Sequence, residues 1–205
     1  MNTAATSQQR EPQSRSAQMP TRLQIYTAAI SVVGLLLVLG AVSLAHDTFV
    51  HLWLFALLAV IAVSTTSDVI SPQMAFSMST AVAFACIPLF GALPAALIAS
   101  IGGFSSTAVK AYEDYREGRR SAVSFTRRAL FNTAAHGISI AAAGFIYQGL
   151  GGKTGDITLI SNLLPLTAAA IVTELLNAAI VVFAVSLQIK QPAFGIWRQN
   201  VSWAV

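Results

Sequence analysis

Eleven of the twelve Lys and Arg residues in this 205-residue chain fall on one side of a membrane when its apolar runs are read as six crossing helices. The runs cover residues 23–45, 50–66, 73–90, 94–109, 129–150 and 158–188. A helix needs about 20 mostly apolar residues to cross bilayer hydrocarbon, with roughly 17–25 observed. The first, fifth and sixth runs meet that length outright. The second and fourth are nearer the lower bound and are expected to be tilted, met by local thinning or partly re-entrant. With the N-terminus in the cytoplasm, Arg10, Arg15, Arg22, Lys110, Arg116, Arg119, Arg120, Arg127, Arg128, Lys190 and Arg198 lie inside, and only Lys153 lies outside. Cytoplasmic loops of membrane proteins carry the excess of Lys and Arg, so the bias sets orientation. Adding or removing one span moves some of these charges to the opposite face. The sequence therefore predicts an all-α fold, a polytopic transmembrane helix bundle of about six spans with both ends cytoplasmic.

Composition narrows the function classes. Hydrophobic residues make up 55% of the chain and charged residues 10%, which leaves no separate soluble core. A net charge of +4 would suggest nucleic acid in a soluble protein. Here the basic residues are juxtamembrane, so topology and anionic headgroups account for them, and no nucleic-acid partner is expected. The one cysteine, Cys86, lies in an apolar run; it permits no intrachain disulfide and no thiolate metal cluster, and reads as a small packing residue.

Residues 1–22 form a polar, proline-containing segment expected to be a disordered cytoplasmic tail. The apolar run that follows is longer than a signal-peptide core and is expected to stay attached as a signal anchor. Residues 23–188 make the six-span membrane domain. Connections are short, with a helical hairpin expected around Gly91 and with Pro94 in the first turn of the next helix, where a missing amide hydrogen is tolerated. Pro88 is expected to kink the helix before it. The one sizeable loop, residues 110–128, interleaves six basic and three acidic residues with Tyr112, Tyr115 and Phe125. It reads as an amphipathic helical segment at the cytoplasmic interface, either a charged topology anchor or a docking surface. Residues 189–205 read as a cytoplasmic interfacial segment that leads into a further C-terminal region.

Close helix approach in lipid relies on small residues, and Ala95, Ala99, Gly103 and Thr107 recur at four-residue spacing in the fourth run. Polar groups enclosed by such a bundle are the candidates for chemistry. Glu174 sits about halfway along the last apolar run, where an ionisable group is costly and normally faces a bundle interior, a partner or a ligand. Asn177 and Thr167 share its helical face. On the preceding helix, Asn132, His136, Ser139 and Ala143 line a second face. Two faces of this kind either satisfy each other as structural glue or enclose a ligand, ion or proton pathway, with Glu174, Asn177, His136 and Asn132 as the candidate ligand-binding residues.

Signatures of soluble enzyme chemistry are missing from the sequence. It has no HExxH, no nucleophile-elbow serine and no dense acidic cluster. The run Gly151-Gly152-Lys153-Thr154 lacks the leading glycine of a phosphate loop, since Tyr147 stands there, and reads as an interhelical turn. No catalytic residue, metal or cofactor is expected in this chain.

Phe131-Asn132 after Arg127-Arg128, the stretch Gly144-Phe145-Ile146-Tyr147 through Leu150-Gly151-Gly152, and Trp197-Arg198-Gln199-Asn200 with Trp203 carry a family resemblance. Over roughly residues 82–205 the chain resembles the N-terminal membrane region found ahead of HD-GYP-type or GGDEF-type domains in bacterial cyclic-di-GMP signalling proteins. The resemblance implies a non-catalytic input domain that binds or senses something and biases a cytoplasmic phosphodiesterase or cyclase beyond residue 205. The partners it implies are the lipid bilayer, the protein's own cytoplasmic output domain, an unknown small ligand and a second copy of the chain in a homodimer. A rival resemblance is to the substrate-binding subunit of energy-coupling-factor transporters, also a compact six-helix bundle. Against it, the first span is bulky over residues 35–39, and Gly34 and Gly40 fall on different helical faces. A structural scaffold with no ligand is the third class.

Overall fold

The structure is a computed structural model that describes residues 20–44, 57–61, 78–116, 122–155 and 159–201. Of these, 92% are helical and none lies in a strand. The helices are α1 (Thr21–Leu44), α2 (Met78–Phe90), α3 (Ala92–Arg116), α4 (Ala122–Gly149), α5 (Leu159–Ile189) and α6 (Ala193–Val201). Four carry apolar segments long enough to cross a membrane: Thr21–Ser43, Ala92–Val109, Phe125–Gly149 and Ile160–Ile189. The apolar part of α2, Ser79–Phe90, is shorter. Most of the expected second span lies outside the described residues, of which only the helical turn at 57–61 is seen, and so do its flanking connections.

The packing order follows from side-chain size. Helices associate in lipid through dispersion and close backbone approach, because burying Leu against Leu gains nothing over burying it against a lipid tail. The α3–α4 pair, the most extensive contact in the bundle, is built accordingly. A Cβ on Gly144 would stand 2.5 Å from the Ala92 Cα, one on Gly137 would collide with Ser100 Oγ, and one on Gly103 would meet the His136 ring at 2.9 Å. These pairs run in opposite directions along the two helices, as an antiparallel hairpin requires. Ala95 and Ala99, on another face of α3, join the buried cluster that includes Ala83, Cys86 and Ile87 of α2, Ile140, Ala143 and Tyr147 of α4, and Ala169 of α5. The small-residue repeat read from the sequence is thus divided: Ala95 and Ala99 join the cluster shared with α2, while Gly103 and Thr107, with Ala92 and Ser100, face α4.

Helices α1 and α5 flank this centre. The α1 stripe Leu23, Thr27, Gly34 and Ala41 is buried, and Gly34 lies so close to Ala134 of α4 that a Cβ there would overlap it. The opposite face, with Ile25, Val32, Leu35, Leu36 and Leu39, is exposed. Helix α5 turns inward along Asn162, Pro165, Ala169, Thr173 and Ile180. Only 17% of each of these two spans is buried, against 61% and 56% for α3 and α4.

The helix ends sort into two poles. At one, Gly91, with φ +88°, turns α2 into α3 and packs beside Gln148 and Thr154, while the Gly155 amide donates to the Pro88 carbonyl. Helix α4 stops there in a Schellman arrangement: Gly151, φ +88°, donates to the Gln148 carbonyl and Gly152 to that of Tyr147. The turn predicted at Gly151-Gly152 is therefore present. Gly152 is forced to lack a side chain, because the Tyr147 ring stands 2.5 Å from where a Cβ would be. Tyr147 is fully buried, and its hydroxyl reaches Asn162 Oδ1 at 2.8 Å and the Lys153 carbonyl at 3.1 Å, which ties α4, the turn and α5 together. At the other pole lie the start of α1, the end of α3, the start of α4 and the end of α5. Of the described basic residues, Arg22, Lys110, Arg116, Arg127, Arg128, Lys190 and Arg198 sit at or beyond this second pole and Lys153 alone at the first.

The loop expected at residues 110–128 is mostly helix continuous with its neighbours. No Gly or Pro stands between Val109 and Glu117, so α3 runs on to Arg116, and α4 already begins at Ala122. Helix propagation past the apolar run costs little over residues 110–116, four of which, Lys110, Ala111, Glu113 and Arg116, are good helix formers. After α5, Lys190 adopts φ 57°, and Pro192 opens α6, which packs its Ile196 inward and leaves Phe194 exposed.

The two glycines of α1 give a matched test. Gly34 abuts Ala134, whereas a Cβ at Gly40 meets nothing within 4 Å. Gly34→Leu is expected to lower stability by about 1–3 kcal/mol through overpacking. Gly40→Leu is expected to leave the thermal midpoint in mild detergent unchanged, and equal losses at both sites would contradict the α1–α4 contact.

Candidate functional site

At the basic pole three helices part to leave a half-open cleft of about 540 Å³. Each contributes one stripe at helical spacing: Pro20, Leu23 and Thr27 from α1; Arg127, Arg128, Phe131 and Asn132 from α4; Val181, Ala184, Val185 and Gln188 from α5. An aromatic cluster lies against the cleft on the bundle side. The Tyr26 ring meets Phe183 edge-on with centroids 4.9 Å apart and lies 6.2 Å from Phe131, and its hydroxyl donates to the Ile180 carbonyl at 3.0 Å. These three rings hold α1, α4 and α5 at aromatic width, and the smaller side chains beyond them, Ala184 above all, cannot fill the space.

The polar atoms of the cleft are partly committed. Thr27 donates to the Leu23 carbonyl of its own helix, and Asn132 Nδ2 donates to Thr107 Oγ1 at 3.0 Å, while Thr107 in turn donates to the Gly103 carbonyl. Arg127 and Arg128 are exposed, and neither forms an ion pair among the described residues. Among the described side chains the one acid is Glu174, seven residues or about 10 Å along α5 from Val181. The cleft is thus an apolar slot with a cationic rim, within the size range of small-ligand pockets.

The four residues singled out from the sequence are distributed over three surroundings. Asn132 lines the cleft and bonds to α3. His136, one turn on, is half-buried with its ring against Gly103, so the two do share one face of α4 turned to α3, as Ser139 and Ala143 share its buried side. Asn177 lies at the edge of the buried stripe of α5, and its Oδ1 is buried without a hydrogen-bond partner. Glu174 is exposed, beside Ile171 and Leu175 on the outer face of α5, and no ion pair joins it to His136. The inward stripe of α5 runs through Thr173, about 100° around the helix from Glu174. Among the described residues no three His, Cys, Asp or Glu side chains lie close enough to share a metal ion.

Sequence reasoning assigned Arg127 and Arg128 to topology and passed over Gln188 and Tyr26 as site residues. One signal was present, the Arg127-Arg128-x-x-Phe131-Asn132 pattern that puts two cations and an aromatic on adjoining positions of one helix.

The fold and cleft define a helical membrane protein with an amphiphilic recess at its basic pole. No family model, curated protein or solved structure matches the chain.

Two substitutions check this geometry. Tyr26→Phe keeps the ring contacts and loses the bond to Ile180, for an expected cost of about 1 kcal/mol, whereas Tyr26→Ala removes the wedge and costs about 3 kcal/mol or more. A carboxyl on the outer face of a span is a burden on the fold. Glu174→Leu is therefore expected to keep or raise the thermal midpoint in detergent, and a drop of several degrees would show that the carboxyl has a partner.

Proposed function

We propose that the chain is the non-catalytic input region of a bacterial signalling protein, set in the plasma membrane with six spans and both ends cytoplasmic. Its responsive element is the three-helix cleft, and its output is a cytoplasmic HD-GYP or GGDEF domain. The observation that carries this reading is the position of the cleft. It lies where α1, α4 and α5 all reach the basic pole, and α5 passes through the Lys190 turn directly into the interfacial helix α6. Anything seated there bears on three helix ends and on the segment that leads towards the cytoplasm.

Orientation supports the reading through charge: seven described basic residues stand at one pole and one at the other, the asymmetry of a cytoplasmic face. The residues behind the family resemblance also have structural roles near the two poles. Arg127, Arg128, Phe131 and Asn132 build the cleft, Tyr147 and Gly152 close the α4–α5 turn, and Trp197 and Arg198 lie on α6.

Two measurements test the proposal. In a Cys86→Ser background, Lys153→Cys is expected to react with a membrane-impermeant maleimide in intact cells with the outer membrane permeabilised, and Lys190→Cys only after the inner membrane is opened. The reverse pattern would invert the bundle and end the cytoplasmic assignment of the cleft. Reading the source gene past the codon for Val205 is expected to show an in-frame HD-GYP or GGDEF coding region, and a stop codon there would remove an output domain in cis.

A further inference from the structure

We infer that the cleft is a binding site for an anionic phospholipid of the surrounding leaflet, its phosphate held between Arg127 and Arg128 and the start of one acyl chain laid along Phe131, Val181, Ala184 and Val185. This names the ligand class of the cleft and rests on the reading that the basic pole faces the cytoplasm.

Three features converge on such a ligand. The first is charge: Arg127 and Arg128 line the cleft and are both exposed, and guanidinium is the side chain best matched to phosphate oxygens. The second is the wall. From Val181 to Gln188 the α5 side of the cleft spans about 10 Å, apolar for its inner two turns and ending in an amide at the rim. A free phosphate would use the rim and leave that wall in water, whereas a headgroup with its glycerol and first methylenes uses both. The third is position. The cleft opens at the basic helix ends, and Val181 is 40% exposed, so the apolar wall continues onto the outer side of α5. Basic recesses between helices on the cytoplasmic side are where anionic headgroups gain most from Arg.

The alternative account of Arg127 and Arg128 is that they only anchor topology. Anchoring requires charge at the interface but no cleft, and Arg198 on α6 provides a cation of that kind away from it.

The test uses the full chain purified in mild detergent, with native mass spectrometry to count retained lipid and thermal unfolding to read the response. Phosphatidylglycerol is expected to be retained in preference to phosphatidylcholine and to raise the midpoint, while inorganic phosphate at matched ionic strength does neither. Arg127→Gln with Arg128→Gln is expected to lower phosphatidylglycerol retention about tenfold or more, the paired Lys variant to retain an intermediate amount, and Arg198→Gln to change nothing. Ala184→Phe, which fills the slot and keeps both arginines, is expected to lower retention while leaving the midpoint without lipid near that of the parent. Should the double Gln variant fail to fold, the Lys pair and Ala184→Phe decide the matter. The inference is overturned if retention falls equally in Arg198→Gln, if Ala184→Phe retains lipid fully, or if inorganic phosphate reproduces the stabilisation. Failure on these counts with the maleimide pattern intact removes the lipid and leaves the input-region reading standing, and an inverted maleimide pattern with selective retention does the opposite.

Discussion

Close approach of α3 and α4 is the constraint on which the rest of this bundle depends. Three glycines on the pair, at 103, 137 and 144, allow backbone to meet side chain or backbone at distances no Cβ would permit. Lipid offers no hydrophobic drive for two helices to associate, so the gain must come from dispersion between well-matched surfaces, and that gain is largest where nothing holds the axes apart. The consequence is visible in composition. The two central spans, more than half buried, have mean hydropathies of 1.5 and 1.4, while the flanking α1 and α5 reach 2.4 and 2.2. The helices that meet each other have given up large apolar side chains for Ala, Gly and Ser, and the helices that meet lipid have kept them.

Polar groups inside the spans are handled by two different devices. Thr27, Ser31, Ser105, Thr107, Ser139, Thr167 and Thr173 each donate to the carbonyl four residues earlier in their own helix, so they need no partner across the bundle. Bonds between helices are fewer and fall towards the poles: Tyr26 to Ile180 and Asn132 to Thr107 on the basic side, Tyr147 to Asn162 on the other. Small-residue contact thus holds the middle of the bundle, and directional bonds fix its two ends. A net bond is worth only about 1 kcal/mol, but at the ends, where helices can splay, it also fixes direction.

The parts of this architecture legible in the sequence are those set by one helix alone. Apolar run length located α1, α3, α4 and α5 to within a few residues at most ends, and the Gly91 and Gly151 turns followed from residue type. The extension of α3 to Arg116 was not legible, because a run of polar helix formers is neutral between a helix continuing into water and a separate interfacial segment. The docked face of α5 was left open by the sequence for a related reason. Periodicity gives the relative phase of Thr167, Glu174 and Asn177 but not which phase docks. The docked phase is chosen by what the neighbours present, namely Tyr147 to Asn162 at one end and Tyr26 to Ile180 at the other. The cost of an ionisable group at Glu174 pointed to a bundle interior, a partner or a ligand, and among the described helices the carboxyl stands exposed.

The cleft is the product of these rules meeting at one pole. Gly34 draws α1 onto Ala134, and nearer the basic end the rings of Tyr26, Phe131 and Phe183 come between α1, α4 and α5. Helices α1 and α4 meet closely at one level and are separated by aromatic rings at the next, and beyond the rings the lining includes the small side chains Pro20, Ala184 and Val185. The wedge therefore both supports the ends of the bundle and keeps them apart. Of the three rings, that of Phe131 lines the cleft itself, and Tyr26 packs against it. Helix α5 turns at Lys190 into α6 with no intervening loop longer than Lys190, Gln191 and Pro192. The packing that makes the recess thereby places it, through Gln188, beside the turn that joins α5 to α6.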